Sequence, residues 1–335
     1  MLPSSQENLD DKDQAVLAYS SNCPNEKNED RQSDDTFFVN GAPVRVLGVY
    51  DGHGGPWTSE YVIRALPVSI QQHIENVVPA SSSIPNILVT PFEQVDRGIV
   101  EPMEATFSPV LSTIRYNLPF ARRRNDIAKK AVVEQMLQDQ TLLELALRAK
   151  SGSTALIAYI DRTDIHVANL GDCRANGHNP AEYARVRQEH PKDTNDPFTG
   201  GRLFGMMPLT RSFGDSFYKA THLSYHEAMS PYYPLLETPP YLTATPEVIS
   251  HRRSPDDVFM IMASDGVWAI KGMTNEWVVA KAMEALSNAS VEDPSRYVME
   301  EVRKWKPGDD VTIQVIVFSP NRLTAIKETS REIGP

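Results

Sequence analysis

A buried apolar run that stops at a glycine-rich turn constrains this chain more than any other feature. Residues 46–55 read VLGVYDGHGG, so the run ends at Asp51-Gly52-His53. An apolar run rich in β-branched and aromatic residues predicts a buried strand, and the glycines that follow predict a sharp turn. Glycine also lets the backbone approach a ligand closely. The sequence therefore predicts a strand over 44–50 that places a carboxylate and an imidazole at one end of a sheet.

Similar aspartates recur at other apolar strand ends far along the chain. Carboxylates stand at turns or strand ends in five places: Glu29-Asp30, Asp51, Asp172 in LGDCR, Asp265 in MASDGVW, and Asp309-Asp310 in GDDVTIQVIVF. Each alone is more typical of a cap or a solvated turn. Together they would repel one another unless a cation joined them. Oxygen ligands suit Mg²⁺ or Mn²⁺, whereas zinc favours nearby His and Cys, so the pattern indicates a magnesium or manganese site.

Composition excludes several classes of protein. The 335-residue chain has a formal net charge of −11, which argues against nucleic acid as a partner. Two cysteines cannot form a disulfide framework, and no apolar run approaches the roughly 18 residues of a membrane span. The first 14 residues resemble neither a signal peptide nor an Arg-rich transit peptide. The sequence by itself therefore predicts a cytoplasmic protein with no membrane span.

Periodicity predicts strands and helices in separate groups. A patch over 15–19 is compatible with an edge strand, and 155–170 reads as a hairpin. A helix is predicted over 126–150, and another begins after Thr274, which can cap it. Buried strands are predicted before Asp265 and after Asp310.

This mixture predicts an α+β fold of antiparallel strands and helices rather than a doubly wound parallel sheet. We expect a polar N-terminal segment over 1–24, one domain over 25–320 and a C-terminal tail over 321–335. Within the domain, 77–119 is rich in Pro, Ser and polar residues, which predicts a long irregular insertion.

Six motifs together resemble a known family. In order they are DGHGG, SGSTALIAYI, HVANLGDCRA, MPLTRSFGD, MASDGVW and DDVTIQVIVF. The series is similar to the metal-dependent Ser/Thr protein phosphatases of type 2C and extends from about residue 25 to residue 318. NEDRQS (28–33), EHPK (189–192) and TPPYLTATPEV (238–248) resemble the pyruvate dehydrogenase phosphatase branch of that family. The resemblance implies a four-layer αββα sandwich, in which helices flank two antiparallel β-sheets and the metal centre lies at one end.

The resemblance also implies roles for individual residues. Asp51 would bridge two Mg²⁺ or Mn²⁺ ions, the Gly52 carbonyl would bind one of them, and Asp265 and Asp309 would complete the direct ligands. Glu29 and Asp30 would hold metal-bound waters, and His53 would protonate the leaving serine or threonine oxygen. The remaining matches are Thr154 near the site, Asp172 at a further, weaker metal, and Asn25 close to the substrate phosphate.

The implied activity is hydrolysis of phosphoserine and phosphothreonine in proteins by a metal-activated water. Two cations about 3.5–4 Å apart can stabilise both the attacking and the leaving oxygen of such a displacement. The partner is then a phosphorylated protein. Resemblance to the pyruvate dehydrogenase phosphatase branch points to the pyruvate dehydrogenase complex and to the mitochondrial matrix. That location competes with the cytoplasmic one predicted from the sequence itself.

Three departures from the family pattern keep an alternative open. Asn25 stands where many members have an arginine that binds phosphate, and Ala269 replaces an acidic residue after the tryptophan of MASDGVW. The third departure is the short segment over 176–188, where the family normally has two further strands before the helix. The shortening of this segment predicts that one or two core strands are missing. The alternative function is therefore a catalytically impaired phosphatase-like protein with a regulatory or binding role.

Overall fold

The computed structural model describes residues 16–23, 28–77, 84–124, 139–171, 180–220 and 236–318, together with residues 131 and 135. The strands are β1 (Leu17–Cys23), β2 (Arg31–Val39), β3 (Ala42–Tyr50), β4 (Gly52–His53), β5 (Gly152–Ser153), β6 (Ala155–Ile160), β7 (Asp164–Leu170), β8 (Phe198–Thr199), β9 (Arg202–Leu203), β10 (Phe213–Gly214), β11 (Glu247–Arg252), β12 (Phe259–Ala263) and β13 (Val311–Val317). The helices are α1 (Trp57–Val77), α2 (Ile84–Arg124), α3 (Gln140–Lys150), α4 (Pro180–Glu189), α5 (Ser216–Lys219), α6 (Asp265–Trp268), α7 (Asn275–Ser287) and α8 (Pro294–Arg303).

Two antiparallel sheets form the centre of the molecule. The larger has the strand order β11-β7-β6-β3-β2, and the smaller has the order β1-β13-β12. In the larger sheet Val46 of β3 pairs with Asp35 on one side and Tyr159 on the other. In the smaller sheet Val315 of β13 pairs with Tyr19 and Ile261. All seven residues of β13 are buried, because this strand has a neighbour on each edge and a packed layer on each face.

Alternation of side chains along the strands produces four layers. Successive residues of a strand point to opposite faces. In β3, Val44 and Val46 pack with α1 and α2, whereas Leu47 and Val49 face the smaller sheet. In β13, Ile313 and Val315 pack with α7 and α8, whereas Ile316 faces the larger sheet. The order of layers is α1 and α2, the larger sheet, the smaller sheet, then α7 and α8. The predicted αββα sandwich is confirmed.

A small third sheet lies beside the end of β3. Its strand order is β10-β5-β4, and each strand has only two residues. His53 of β4 pairs with Gly152 of β5, and Gly152 pairs with Gly214 of β10. This sheet brings together three segments that are far apart in the sequence, next to the carboxylate of Asp51.

The predicted irregular insertion over 77–119 is wrong, because this region is largely the helix α2, Ile84–Arg124. The prolines and polar residues that suggested a loop are outweighed by an apolar stripe. Leu88, Phe92, Val95 and Ile99 recur every three or four residues and are buried against α1 and the larger sheet. Each buried side chain contributes about 1.5–3 kcal/mol, which is of the same order as the cost of about 3 kcal/mol for one proline within a helix. The stripe also includes Ile87, Met103 and Phe107, which are buried as well.

The helix predicted over 126–150 is interrupted at Asp139, and its second part is confirmed. The helix α3 ends at Lys150 as expected but begins at Gln140. Asp139 caps it, since the side chain accepts hydrogen bonds from the backbone N–H groups of Thr141 and Leu142 at 2.8 and 3.2 Å. Most of the residues over 126–138 lie outside the described part of the chain.

Most other predicted elements are confirmed. They are the edge strand near residue 17, the β6–β7 hairpin, the strand β12, the buried strand β13, and the helix α7. Only Met262 and Ala263 of β12 are fully buried, because this strand lies at the edge of its sheet. Thr274 caps α7 through the backbone N–H of Trp277 at 3.2 Å. No helix in the described ranges is both long and apolar enough to cross a membrane.

The shortened segment after β7 lies partly outside the description, since residues 172–179 are not described. The chain resumes in α4, which a group of ion pairs ties to the sandwich. Glu182 accepts hydrogen bonds from the guanidinium groups of Arg211, at 2.7 and 3.0 Å, and Arg185. Arg211 also donates to the Thr245 carbonyl at 2.7 Å. Burial would raise the pKa of Glu182, but its hydrogen bonds from Arg211, Arg185 and Thr210 outweigh this effect and lower the pKa to about 2.

Glu182→Gln tests how strongly this group anchors α4. We expect the free energy of unfolding at pH 7 to fall by about 3 kcal/mol, because the substitution removes a half-buried charge that is paired. The folded-state pKa is depressed, so the stabilisation is present above the ordinary glutamate value and is lost as pH falls from about 4.5 toward 2. Urea denaturation of both proteins in EDTA, at several pH values, measures the difference.

Glu189→Gln is the matched control, since Glu189 lies on the same helix and pairs with the same Arg185 at 2.8 Å but is exposed. We expect it to change stability by less than about 1 kcal/mol. A Glu182→Gln effect as small as that of Glu189→Gln would contradict the anchoring role. An effect that stays constant down to pH 3 would contradict the assigned pKa.

Candidate metal centre and active site

A cavity of about 610 Å³ opens where the ends of the two large sheets meet. Four acidic side chains line one part of it: Glu29, Asp51, Asp265 and Asp309. Gly52, His53, Thr154 and Asp215 line the same cavity. The structure thus brings together most of the residues that the sequence pattern singled out.

The strand ends explain why these carboxylates converge. Asp51 follows β3 of the larger sheet, and Asp265 follows β12 of the smaller one. Asp309 lies two residues before β13, the antiparallel neighbour of β12, so both reach the same edge. The backbone N–H of Asp265 donates to Oδ2 of Asp51 at 3.3 Å, which joins the ends of the two sheets directly.

Glu29 and Asp30 approach the cavity differently. The backbone N–H of Glu29 donates to Oδ2 of Asp310 at 2.6 Å, and the Glu29 carbonyl accepts from Oγ of Ser59 at 2.6 Å. Glu29 reaches the cavity. Asp30 is only 2% exposed, accepts a hydrogen bond from Oγ1 of Thr312 at 2.8 Å and is not part of the cavity wall. Asp30 therefore supports the wall from behind in this structure.

Electrostatics of the cavity favour a bound cation. Burial raises the pKa of Asp30 to about 7; hydrogen bonds from Thr312 and Ser264 oppose the rise, and repulsion by Asp310 and Asp309 adds to it. Burial also raises the pKa of Asp265, with further repulsion from Asp309. These carboxylates lie close to one another without enough positive charge nearby. A divalent cation would relieve the repulsion, so the donor set fits Mg²⁺ or Mn²⁺.

Protein side chains would supply only part of the coordination. Among the described residues, no three His, Cys, Asp or Glu side chains converge tightly enough to enclose an ion on their own. Mg²⁺ ordinarily keeps several waters and takes one or two carboxylates from the protein. The open, carboxylate-lined cavity suits this mode of Mg²⁺ coordination better than it suits a closed structural zinc site.

His53 is held at the wall of the cavity by a buried carboxylate. Its Nε2 lies 2.9 and 3.0 Å from the two carboxylate oxygens of Asp215, a residue only 2% exposed. The imidazole side chain is 31% exposed, so it can still meet a ligand. Thr154 is anchored next to it, since its backbone N–H donates to the Asp51 carbonyl at 2.9 Å.

Sequence reasoning missed part of the cavity. Asp215 lies in the motif MPLTRSFGD and was not among the candidate site residues, but it faces His53 across the small sheet. The cavity also has an apolar side, formed by Met206, Met207, Pro208, Leu209, Phe217 and Tyr218. A signal for Asp215 existed, because an aspartate directly after a glycine is the same pattern that drew attention to other turns. Arg211 in the same motif has a structural role, since it binds Glu182 and Thr245.

Three sequence positions add little to the observed site. Asn25 and Asp172 lie outside the described residues, so their expected roles stay predictions. Ala269 is exposed directly after α6 and is not part of the cavity wall.

The sequence of this chain is similar to those of known proteins. Residues 113–304 match the family described as Protein phosphatase 2C. The human mitochondrial pyruvate dehydrogenase (acetyl-transferring) phosphatase 2 is 28% identical over 338 residues, covering 82% of this chain and 62% of that protein. The human mitochondrial phosphatase 1 of the same name is 31% identical over 318 residues, covering 76% and 58%. This chain thus spans about six tenths of the length of each of these relatives.

Solved structures show the same fold. A Toxoplasma gondii phosphatase superimposes with a TM-score of 0.58 at 16% identity, covering 91% of this chain and 92% of that one. A C. elegans sex determining protein gives a TM-score of 0.60 at 21% identity, with coverage of 93% and 67%. At these identities the likeness concerns the fold alone.

Gly52→Ala tests the close approach that shapes the cavity. A Cβ at Gly52 would lie 2.4 Å from the Glu29 carbonyl oxygen and 2.8 Å from Oγ of Ser59, so β4 and the Glu29 segment must separate. We expect a loss of about 1–3 kcal/mol in the free energy of unfolding in EDTA, as for other overpacked sites. We also expect weaker Mn²⁺ binding by calorimetry.

Gly308→Ala is the matched control, because a Cβ there meets nothing within 4 Å. It should change the free energy of unfolding by less than about 1 kcal/mol. Equal effects of the two substitutions would show that the contact between Gly52 and Glu29 does not constrain the cavity.

Proposed function

Because the chain belongs to the protein phosphatase 2C family, we propose that it hydrolyses phosphoserine and phosphothreonine in proteins with two Mg²⁺ or Mn²⁺ ions. The observation that carries this proposal is the convergence of Glu29, Asp51, Asp265 and Asp309 on one cavity, next to His53. A phosphate ester carries charge that these carboxylates alone would repel. A cation bound between the carboxylates would attract the phosphate ester. The acidic wall therefore supports a metal-dependent reaction rather than direct anion binding.

Four groups would hold the ions: the carboxylates of Asp51, Asp265 and Asp309, and the Gly52 carbonyl. Glu29 would hold coordinated water, and Asp30 would do so only indirectly, since it lies behind the wall. When bound, the ions supply Lewis-acid stabilisation of the phosphoryl oxygens and a lowered pKa for coordinated water. Thr154 would keep the segment after β3 in register through its hydrogen bond to Asp51.

The other residues of the cavity would orient the ester and manage its proton. His53 would donate a proton to the serine or threonine oxygen as its bond to phosphorus breaks, because that alkoxide is a poor leaving group. The apolar side of the cavity would contact the polypeptide next to the phosphorylated residue and exclude water there. General acid catalysis of this kind contributes about 10²–10⁴-fold.

Two relatives suggest a substrate and a location. Their names describe mitochondrial pyruvate dehydrogenase phosphatases. We extend this to the present chain as a proposal: a phosphorylated component of the pyruvate dehydrogenase complex is the substrate, and the mitochondrion is the location. The motifs NEDRQS, EHPK and TPPYLTATPEV support this choice over a general phosphatase.

The first test is release of phosphate from a phosphothreonine peptide by the purified chain with Mn²⁺, with Mg²⁺ and with EDTA. We expect hydrolysis with either metal and none with EDTA. Asp265→Asn should lower kcat/KM about 10²-fold or more, because a weakened metal site loses several kcal/mol of transition-state stabilisation. Circular dichroism should show that the variant stays folded.

Asp256→Asn is the matched control, since Asp256 is exposed in the turn between β11 and β12. It should leave turnover unchanged. A folded wild-type chain that binds no Mn²⁺ and releases no phosphate would favour the alternative function of a phosphatase-like binding protein. Full activity in Asp265→Asn would contradict the assigned ligands.

A further inference from the structure

We propose that Asp215 is a positioning residue, which holds the imidazole of His53 in the orientation needed to protonate the leaving oxygen. This inference rests on the proposed function and assigns a role to a residue outside the metal ligands. The two residues are 162 positions apart in the sequence, yet Nε2 of His53 lies 2.9 Å from Oδ2 and 3.0 Å from Oδ1 of Asp215.

The carboxylate of Asp215 is turned toward His53 and away from its own helix. Asp215 precedes α5 at the position where an aspartate ordinarily caps backbone N–H groups, but its side chain makes no such bond. Instead, Oδ2 accepts a hydrogen bond from Oγ of Ser212 at 2.6 Å. His53 lies across the small sheet on β4, whereas Ser212 directly precedes β10 on the same segment as Asp215.

The backbone of Asp215 is strained to reach this place. Its φ of 50° and ψ of 43° lie in the left-handed region, which few residues other than glycine adopt. The conformation is held by a hydrogen bond from the Asp215 N–H to the Ser151 carbonyl at 3.0 Å. Strain of this kind persists where the surroundings enforce it, and it is concentrated at functional sites.

A second, buried ion pair fixes the same turn. Nζ of Lys219 donates to Oδ1 of Asp96 at 2.6 Å and to the Ser212 carbonyl at 2.6 Å. Oδ1 of Asp96 also accepts from the backbone N–H of Gly214 at 2.9 Å. The helix α2 therefore helps to determine where the Asp215 carboxylate lies.

Gly152 leaves the space in which His53 and Asp215 meet. It lies between His53 and Gly214 in the small sheet. A Cβ on Gly152 would lie 2.2 Å from Nε2 of His53 and 2.2 Å from Oδ2 of Asp215. The glycine of SGSTALIAYI is thus required by this contact, because any larger residue would push the two side chains apart.

The contact determines which ring nitrogen does the chemistry. An ionised carboxylate only accepts hydrogen bonds, so Asp215 keeps a hydrogen on Nε2. The proton for the leaving oxygen then comes from Nδ1 of the imidazolium form, and its transfer leaves neutral His53 with the remaining hydrogen on Nε2. The bond from phosphorus to the serine or threonine oxygen breaks as that oxygen takes the proton. The attacking water becomes the fourth oxygen of phosphate, and its released proton returns to His53 through solvent.

Asp215→Asn, compared on two substrates, distinguishes positioning from a purely structural role. A phosphothreonine peptide has a poor leaving group that needs a proton, whereas p-nitrophenyl phosphate does not. With Mn²⁺, we expect kcat for the peptide to fall about 10²-fold or more, while kcat for p-nitrophenyl phosphate changes less than about threefold. KM for the peptide should stay close to that of the wild type.

Asp257→Asn is the matched control. Oδ2 of Asp257 lies 2.9 Å from Nε2 of His251, which is the same chemical contact at an exposed surface outside the cavity wall. It should leave both substrates unaffected. If Asp215→Asn does not fold, Ser212→Ala replaces it, because that substitution removes the other hydrogen bond to the carboxylate. Ser212→Ala should lower kcat for the peptide by a smaller factor and should again change kcat for p-nitrophenyl phosphate much less.

Long-range ¹H–¹⁵N spectra of the histidine rings give a readout independent of turnover, with His53→Gln used for assignment. The wild type should show the His53 hydrogen on Nε2, and Asp215→Asn should change that signal alone. Equal losses on both substrates, or an unchanged His53 signal, would overturn the inference. Absence of metal-dependent turnover in the wild type would overturn the proposed function instead, and the inference would then be decided by the His53 signal.

Discussion

Mutual repulsion between carboxylates at the end of the β-sandwich is the constraint on which the rest of the structure depends. Asp51 and Asp265 belong to different sheets, yet the Asp265 N–H donates to the Asp51 carboxylate at 3.3 Å. Burial and the neighbouring Asp309 raise the pKa of Asp265, so the arrangement is unfavourable without a cation. The sandwich core holds it in place, because Leu47 and Val49 of one sheet pack against Met262 and Ile316 of the other.

The small sheet has a different role: it places the imidazole of His53 next to these carboxylates. Two-residue strands contribute little stability by themselves. Here the small sheet is fixed by two helices. Oγ1 of Thr58 in α1 donates to the Ser151 carbonyl next to β5, and Asp96 in α2 accepts from the backbone N–H of Gly214 in β10. The rigid sandwich therefore sets the metal ligands, and helices on one face set the His53–Asp215 pair. The two parts of the site have separate structural supports.

Much of this could be predicted from sequence, and the remainder could not for physical reasons. The strands β3, β12 and β13 are apolar runs, so their ends and the carboxylates there were predictable. The helix α2 was not, because its prolines obscure a stripe whose value depends on packing against α1. The interruption at Asp139 and the contact of Asp215 with His53 depend on local capping and on long-range pairing. Neither feature can be predicted from the hydrophobic periodicity of the sequence.

The separation of supports also bears on the shortened segment over 176–188. The groups assigned to the ions lie next to β3, β12 and β13, and the imidazole lies on β4. None of these elements directly precedes or follows that segment. Its helix α4 is tied instead to Arg211 through Glu182, several residues before Asp215. A deficit of strands there would reduce stability while leaving the ligand-bearing strand ends in register. Stability and chemistry can therefore be lost separately in this fold, and a folded chain is the proper reference for judging its activity.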